Sequence, residues 1–182
     1  MATRAVPSPL AQVPNALTVA RLLLIPVFVV LLASAEGGHS VAAAVVFAIA
    51  GVTDQVDGYL ARRWHVESEF GKVADPLADR LMIDTAVLLL WWADRLPWVA
   101  LLIPVRDVLL IAATPFAVRR GYRFEVNLVG KAATWVLYAS LCFVMVTSAG
   151  TDWPLWLFWA GVALAVAALA GYAWKAIREV RS

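Results

Sequence analysis

The chain has 182 residues, 63% of them hydrophobic and 15% charged, with 15 Lys and Arg against 13 Asp and Glu for a net charge of +2. It is too apolar for a soluble core and too short for several domains, so it reads as one membrane-embedded unit. The small net charge gives no support to a nucleic-acid partner, and Cys142, alone in the chain, excludes an intramolecular disulfide.

In chain order, residues 1–14 hold Pro7, Pro9 and Pro14 and read as a juxtamembrane segment, irregular or lying along the membrane surface, ahead of a membrane domain over 15–182. Six apolar stretches of about 20 residues follow, the length a bilayer core demands, at 15–35, 40–60, 75–93, 98–118, 126–149 and 154–174. The expected fold is all-α, a bundle of six transmembrane helices. Arg21, the apolar run 22–32 and Ala33-Ser34-Ala35 imitate a cleavable signal peptide, but the run starts late and follows three prolines, so it is read as the first span. Glu36-Gly37-Gly38-His39 forms a short turn. His39 and His65 lack a His or Cys partner at metal-binding spacing and read as loop and interfacial residues. Cys142, inside the fifth span, reads as a packing residue. Gly161, Ala165 and Gly171 in the last span read as ordinary helix packing. No internal repeat is visible, which argues against a transporter built from duplicated halves.

Basic residues set the orientation, because basic loops stay on the cytoplasmic side. Arg4, Arg21, Arg62, Arg63, Lys72, Arg119, Arg120, Arg123, Lys175, Arg178 and Arg181 fall on one side, and the opposite loops hold Arg95. Both termini are expected in the cytoplasm. Trp91, Trp92, Trp98, Trp153 and Trp156 mark the outer interface, and Trp64 and Trp174 the inner one.

The most specific pattern spans the second and third stretches: Asp54-x2-Asp57-Gly58-x2-Ala61-Arg62-x8-Gly71-x3-Asp75-x3-Asp79, with x any residue. Its eight fixed positions recur by chance about 10^-10 times per starting point. Carboxylates at membrane depth mark function. Asp54 and Asp57 are three apart and Asp75 and Asp79 four apart, so each pair projects from one helix face, and four acids converge at the cytoplasmic ends of two helices. Four carboxylates cannot all ionise in a low-dielectric cluster without counter-charge, and oxygen-only donors suit Mg2+ or Mn2+, here a pair of ions. Gly58 and Gly71 let backbone approach a ligand closely, and Arg62 offers a planar fork suited to phosphate. Acting only as helix caps would not require these glycines and arginine at fixed intervals. Together they describe a phosphate-ester site open to the cytoplasm, for a substrate part nucleotide or diphosphate and part lipid.

At these residues the chain resembles the CDP-alcohol phosphatidyltransferase family, whose signature is D-x2-D-G-x2-A-R-x8-G-x3-D-x3-D. Pro14-Asn15-Ala16-Leu17-Thr18-Val19-Ala20-Arg21 is similar to the start of that family's first span, and the six-span layout is also the family's own. The resemblance implies that Asp54, Asp57, Asp75 and Asp79 hold two metal ions. It also implies that Asp79 is the general base, taking the proton of an acceptor hydroxyl that attacks the lipid-side phosphorus of CDP-diacylglycerol with release of CMP. Gly58, Arg62 and Gly71 would contact the cytidine diphosphate, with Asn15, Thr18 and Arg21 closing that site. A homodimer, surrounded by membrane lipids, is implied as well.

For the acceptor, Arg106-Asp107 in the fourth stretch and Gly130-Lys131 opening the fifth look like the family's bacterial cardiolipin synthases, which favours phosphatidylglycerol, with glycerol 3-phosphate as the alternative. Arg106, Arg119, Arg123 and Lys131 are the candidate acceptor ligands, although Arg119 and Arg123 equally suit anionic headgroups. Arg106, counted at about 1.5 Å per residue, lies near mid-membrane. Asp84 is its expected ion-pair partner, with Asp107 competing. A divalent-cation transporter also wants carboxylates in a helical bundle, but along a crossing path rather than at one face.

Overall fold

The computed structural model describes residues 8–64, 69–119 and 128–181, and every regular element among them is helical. Long apolar runs satisfy their backbone polar groups internally only as helices. The chain does so in α1 (Ser8–Ala33), α2 (Val41–Trp64), α3 (Glu69–Trp92), α4 (Leu102–Arg119), α5 (Leu128–Val146) and α6 (Trp153–Arg181). Short 3-10 turns at Glu36–Gly38 and Trp98–Leu101 lead into α2 and α4.

The all-helical expectation holds, while several boundaries move. α1 is helical from Ser8, so the segment expected to be irregular or to lie along the membrane surface is helix over its second half. Pro9 falls in the first turn, where a missing N–H breaks no intrahelical bond. α2 continues to Trp64, α3 starts at Glu69 and α6 reaches Arg181, all beyond the expected apolar spans. Helices thus project past their apolar stretches on the side that carries the aspartates. Among the described residues, two helices are long and apolar enough to cross a membrane by length and composition, over Ala16–Ala33 and Val129–Val146. Shorter apolar stretches occupy Val41–Thr53 and Trp153–Ala168. Charge interrupts the others: Asp79, Arg80 and Asp84 in α3, Arg106 and Asp107 in α4.

α1 lies against both α2 and α3, α5 joins α2 to α6, and α4 leans on α3. The core gathers Phe28, Phe47, Met82, Leu90, Leu141 and Phe158, all fully buried. Large apolar side chains such as Leu23, Leu109 and Trp156 face outward at 65%, 64% and 74% exposure, a surface suited to lipid rather than water. Two glycines set the helix spacing. A Cβ on Gly51 would stand 2.8 Å from the Tyr138 ring, and one on Gly161 would stand 2.9 Å from Leu137 Cγ and 3.1 Å from its backbone N. At the end away from the aspartates, Arg95 donates to the carbonyl oxygens of Val144 at 2.6 Å and Thr147 at 2.7 Å, capping α5. Partial burial there lowers the Arg95 pKa from its ordinary value.

Candidate active site

The acids sit inside the helices rather than at their tips. Asp54 stands ten residues before the end of α2 at Trp64, and Asp79 ten residues after the start of α3 at Glu69. Asp57 and Asp75 stand seven and six residues from the same two ends. Four residues, 65–68, join the helices, so in a helical hairpin Asp54 comes level with Asp79 and Asp57 with Asp75. The two levels are about 4 Å to 6 Å apart, at 1.5 Å per residue.

Packing extends this register to α1. The Phe28 and Phe47 rings lie 5.4 Å apart, and α1 and α2 are joined by a short connection. Seven residues from each, on the side of the aspartates, the same register brings Arg21 level with Asp54, and ten residues on it brings Thr18 level with Asp57. Thr18 and Arg21 are buried, at 1% and 0% exposure, on the helix that touches both α2 and α3. An arginine is buried completely only in a polar setting, and here the neighbouring helices carry acids at its own level.

α5 joins the same level from the other flank. Ser40 N donates to Met145 O at 2.9 Å, Cys142 Sγ lies 3.9 Å from Ala44 O, and the Phe47 and Tyr138 rings are 4.7 Å apart. These three contacts define one antiparallel register, and seven residues further along it Lys131 comes level with Asp54. Lys131 is exposed, one turn into α5. Arg21, Asp54, Asp79 and Lys131 therefore share one layer of the bundle, drawn from four helices.

α4 supplies a correction. Arg106 does not pair with Asp84: its Nε donates to Asp107 Oδ1 at 2.8 Å, and its Nη2 lies 2.8 Å from the same oxygen as an ion pair. Arg80 Nη1 donates to the same oxygen at 2.5 Å, tying α3 to α4. Adjacent residues on one helix seldom face each other. Here the long Arg106 side chain folds back onto its neighbour, because the Asp107 carboxylate is turned inward at 3% exposure. Sequence reasoning missed Arg80 altogether. An arginine inside an apolar stretch, directly after an acid singled out for function, was the signal available.

The side chains of Asn15, Asp54, Asp57, Gly58, Arg62, Gly71, Asp75, Asp79 and Arg119 lie outside the described ones, though all nine residues are helical, and Arg123 and His65 lie outside the described residues. No group of three metal-ligating side chains occurs among the described residues. The donor set that the sequence puts on α2 and α3 suits a divalent ion by its chemistry: four aspartates, with no nitrogen or sulfur ligand in the motif, match the preference of Mg2+ or Mn2+.

A family profile described as CDP-alcohol phosphatidyltransferase matches residues 11–167. The chain is 37% identical over 146 residues to a cardiolipin synthase (CMP-forming) of Streptomyces coelicolor, which covers 78% of this chain and 67% of that protein. It is 32% identical over 167 residues to a glycerol-3-phosphate 3-phosphatidyltransferase acting with CDP-diacylglycerol from Bacillus subtilis, covering 80% and 86%. The enzyme of the same name from Escherichia coli is 32% identical over 161 residues, covering 84% of each. With the signature intact on α2 and α3 and the profile spanning most of the sequence, the chain belongs to the CDP-alcohol phosphatidyltransferase family.

Proposed function

We propose that this enzyme transfers a phosphatidyl group from CDP-diacylglycerol to phosphatidylglycerol, giving cardiolipin and CMP. The observation that carries the reading is the shared layer: Asp54 and Asp79 at one level, Asp57 and Asp75 at the next, with buried Arg21 and Thr18 on α1 beside them. Asp54, Asp57, Asp75 and Asp79 would hold two Mg2+ or Mn2+ ions, which when bound neutralise the diphosphate and the departing CMP. Asp79 accepts the proton of the acceptor hydroxyl as its oxygen bonds to the lipid-side phosphorus, and the bond from that phosphorus to the CMP oxygen breaks. Asn15, Thr18, Arg21, Gly58, Arg62 and Gly71 hold the cytidine diphosphate. Arg106, Arg119, Arg123 and Lys131 form the acceptor side.

Membership in a transferase family removes the cation-transporter reading. Six membrane crossings with both termini and the site on the cytoplasmic side are supported by the one-sided distribution of Lys and Arg and by the outward-facing apolar side chains. A homodimer belongs to the same reading and is checked by cross-linking in native membranes.

Glycerol 3-phosphate is the second acceptor, favoured by the Bacillus subtilis and Escherichia coli relatives. Purified protein supplied with CDP-diacylglycerol, Mg2+ and each acceptor in turn separates the two. Cardiolipin is the expected faster product, and a product with glycerol 3-phosphate alone would assign the second acceptor instead.

A further inference from the structure

α6 outruns the helix that supports it. Gly161 meets Leu137, and a Cβ on Gly130 would lie 3.9 Å from Ala168, two contacts that fix one antiparallel register of α5 on α6. α5 begins at Leu128, which this register sets level with residue 170, whereas α6 continues to Arg181. Residues 171–181 therefore extend about 16 Å past the end of α5, at 1.5 Å per residue. Nothing stands within 4 Å of the position a Cβ would take on Gly171, the first of them.

Depth says what surrounds this extension. Counted from Trp153 on the outer side, a hydrocarbon core of about 30 Å takes about 20 residues of helix and ends near residue 173. Trp174 comes next, a residue type that marks the bilayer boundary. Residues 175–181 then rise by about 9 Å, enough to cross the headgroup layer. At about 100° per residue, Lys175, Arg178 and Arg181 fall within about one third of the helix circumference, and Ala173, Ala176, Ile177 and Val180 share the opposite side.

Acids of the chain leave this basic face in excess. Glu179 stands one turn from Lys175 at the edge of the face and takes one charge. Stretches 119–131 and 171–182 together hold seven Lys and Arg against two acids, Glu125 and Glu179, and residues 62–72 hold three against two. Asp57 and Asp75, the motif acids nearest this end, come level with Leu128, about 7.5 Å short of Lys175. The negative end of the α6 dipole amounts to about half a charge.

We propose that the extension of α6 is a docking surface for anionic lipid headgroups in the leaflet that the aspartates face. Lys175, Arg178 and Arg181 meet the phosphate groups, and the apolar side of the same turns suits the acyl boundary. A lipid is favoured over an acidic protein because the helix emerges through the headgroup layer, so its charges reach lipid phosphates before water. The surface requires α6 to cross the membrane and is independent of the transferase chemistry.

Hydrogen exchange of the full chain in phosphatidylcholine nanodiscs, with and without phosphatidylserine, which is no acceptor in the reading above, tests the surface. Each basic residue at an anionic surface gains about fivefold in binding, so the amides of 172–181 should exchange about tenfold or more slowly with phosphatidylserine present, and those of α5 should not change. High salt should remove the difference. So should the combined change Lys175→Gln, Arg178→Gln and Arg181→Gln. Equal exchange in the two discs at low salt would overturn the surface, as would protection by phosphatidylserine that the triple variant retains. Should that variant not fold, protection of wild type that survives high salt overturns it alone.

Discussion

Asp79 and Asp54 share one level of the bundle, yet their substitutions should behave differently. Asp79→Asn keeps the shape of the side chain and removes its capacity to take a proton, so turnover measured as CMP release should fall about 10^2-fold to 10^4-fold with CDP-diacylglycerol affinity largely retained. Asp54→Asn should weaken metal and nucleotide binding together. Near-wild-type turnover in Asp79→Asn would remove it from the role of base. The Arg80–Asp107 contact makes a second prediction at this scale. Asp107→Leu takes the shared acceptor from two arginines and should destabilise by about 1–3 kcal/mol, less than for a wholly buried pair because the arginines are 35% and 34% exposed, whereas Arg80→Met leaves Arg106 on Asp107 and should cost less. The double variant should cost less than the sum of the two. Thermal unfolding in detergent around that cycle measures the coupling, and additive losses would show that the contact carries no net energy.

Helix spacing depends on glycines that meet neighbouring side chains. Gly161 of α6 lets Leu137 of α5 approach so closely that an added Cβ would lie 2.9 Å from a side-chain carbon and 3.1 Å from a backbone nitrogen. The backbone atom cannot swing aside. Gly161→Val should therefore separate α5 from α6 and lower stability by about 1–3 kcal/mol, read as a lower melting temperature. Gly171→Val should be nearly neutral, since nothing stands within 4 Å of the position a Cβ would take there. Equal losses at the two positions would mean that helix propensity, not close packing, governs α6.

Across the whole molecule, four acids on two adjacent helices call for counter-charge, and the metal ions proposed for them would supply it. Activity should vanish with chelator and return with Mg2+ or Mn2+. Mn2+ binding followed by electron paramagnetic resonance should weaken in Asp54→Asn and be unaffected by Arg95→Ala, whose side chain caps α5 at the far end of the bundle. Full activity in chelator would overturn the metal assignment without touching the family membership.

Much of this was legible in the residues because it is local. A six-fold succession of long apolar runs dictates helices, and the spacing of Asp54, Asp57, Asp75 and Asp79 puts each pair on one helix face whatever surrounds it. Apolarity alone could not set helix ends: α2 and α3 run on past their apolar stretches because a helix continues through charged residues until its backbone is interrupted, and this moved the acids from helix tips to helix interiors. Nor could it choose the partner of Arg106. Asp84 and Asp107 were both available by depth, and the choice depended on how α4 lies against α3, which placed Arg80 and Arg106 on one oxygen of Asp107. The common layer of Arg21, Asp54, Asp79 and Lys131 likewise required the tertiary structure. A sequence gives the height of a residue only along its own helix, whereas relative height between helices is fixed by the contacts they make, here Phe28 on Phe47 and Phe47 on Tyr138.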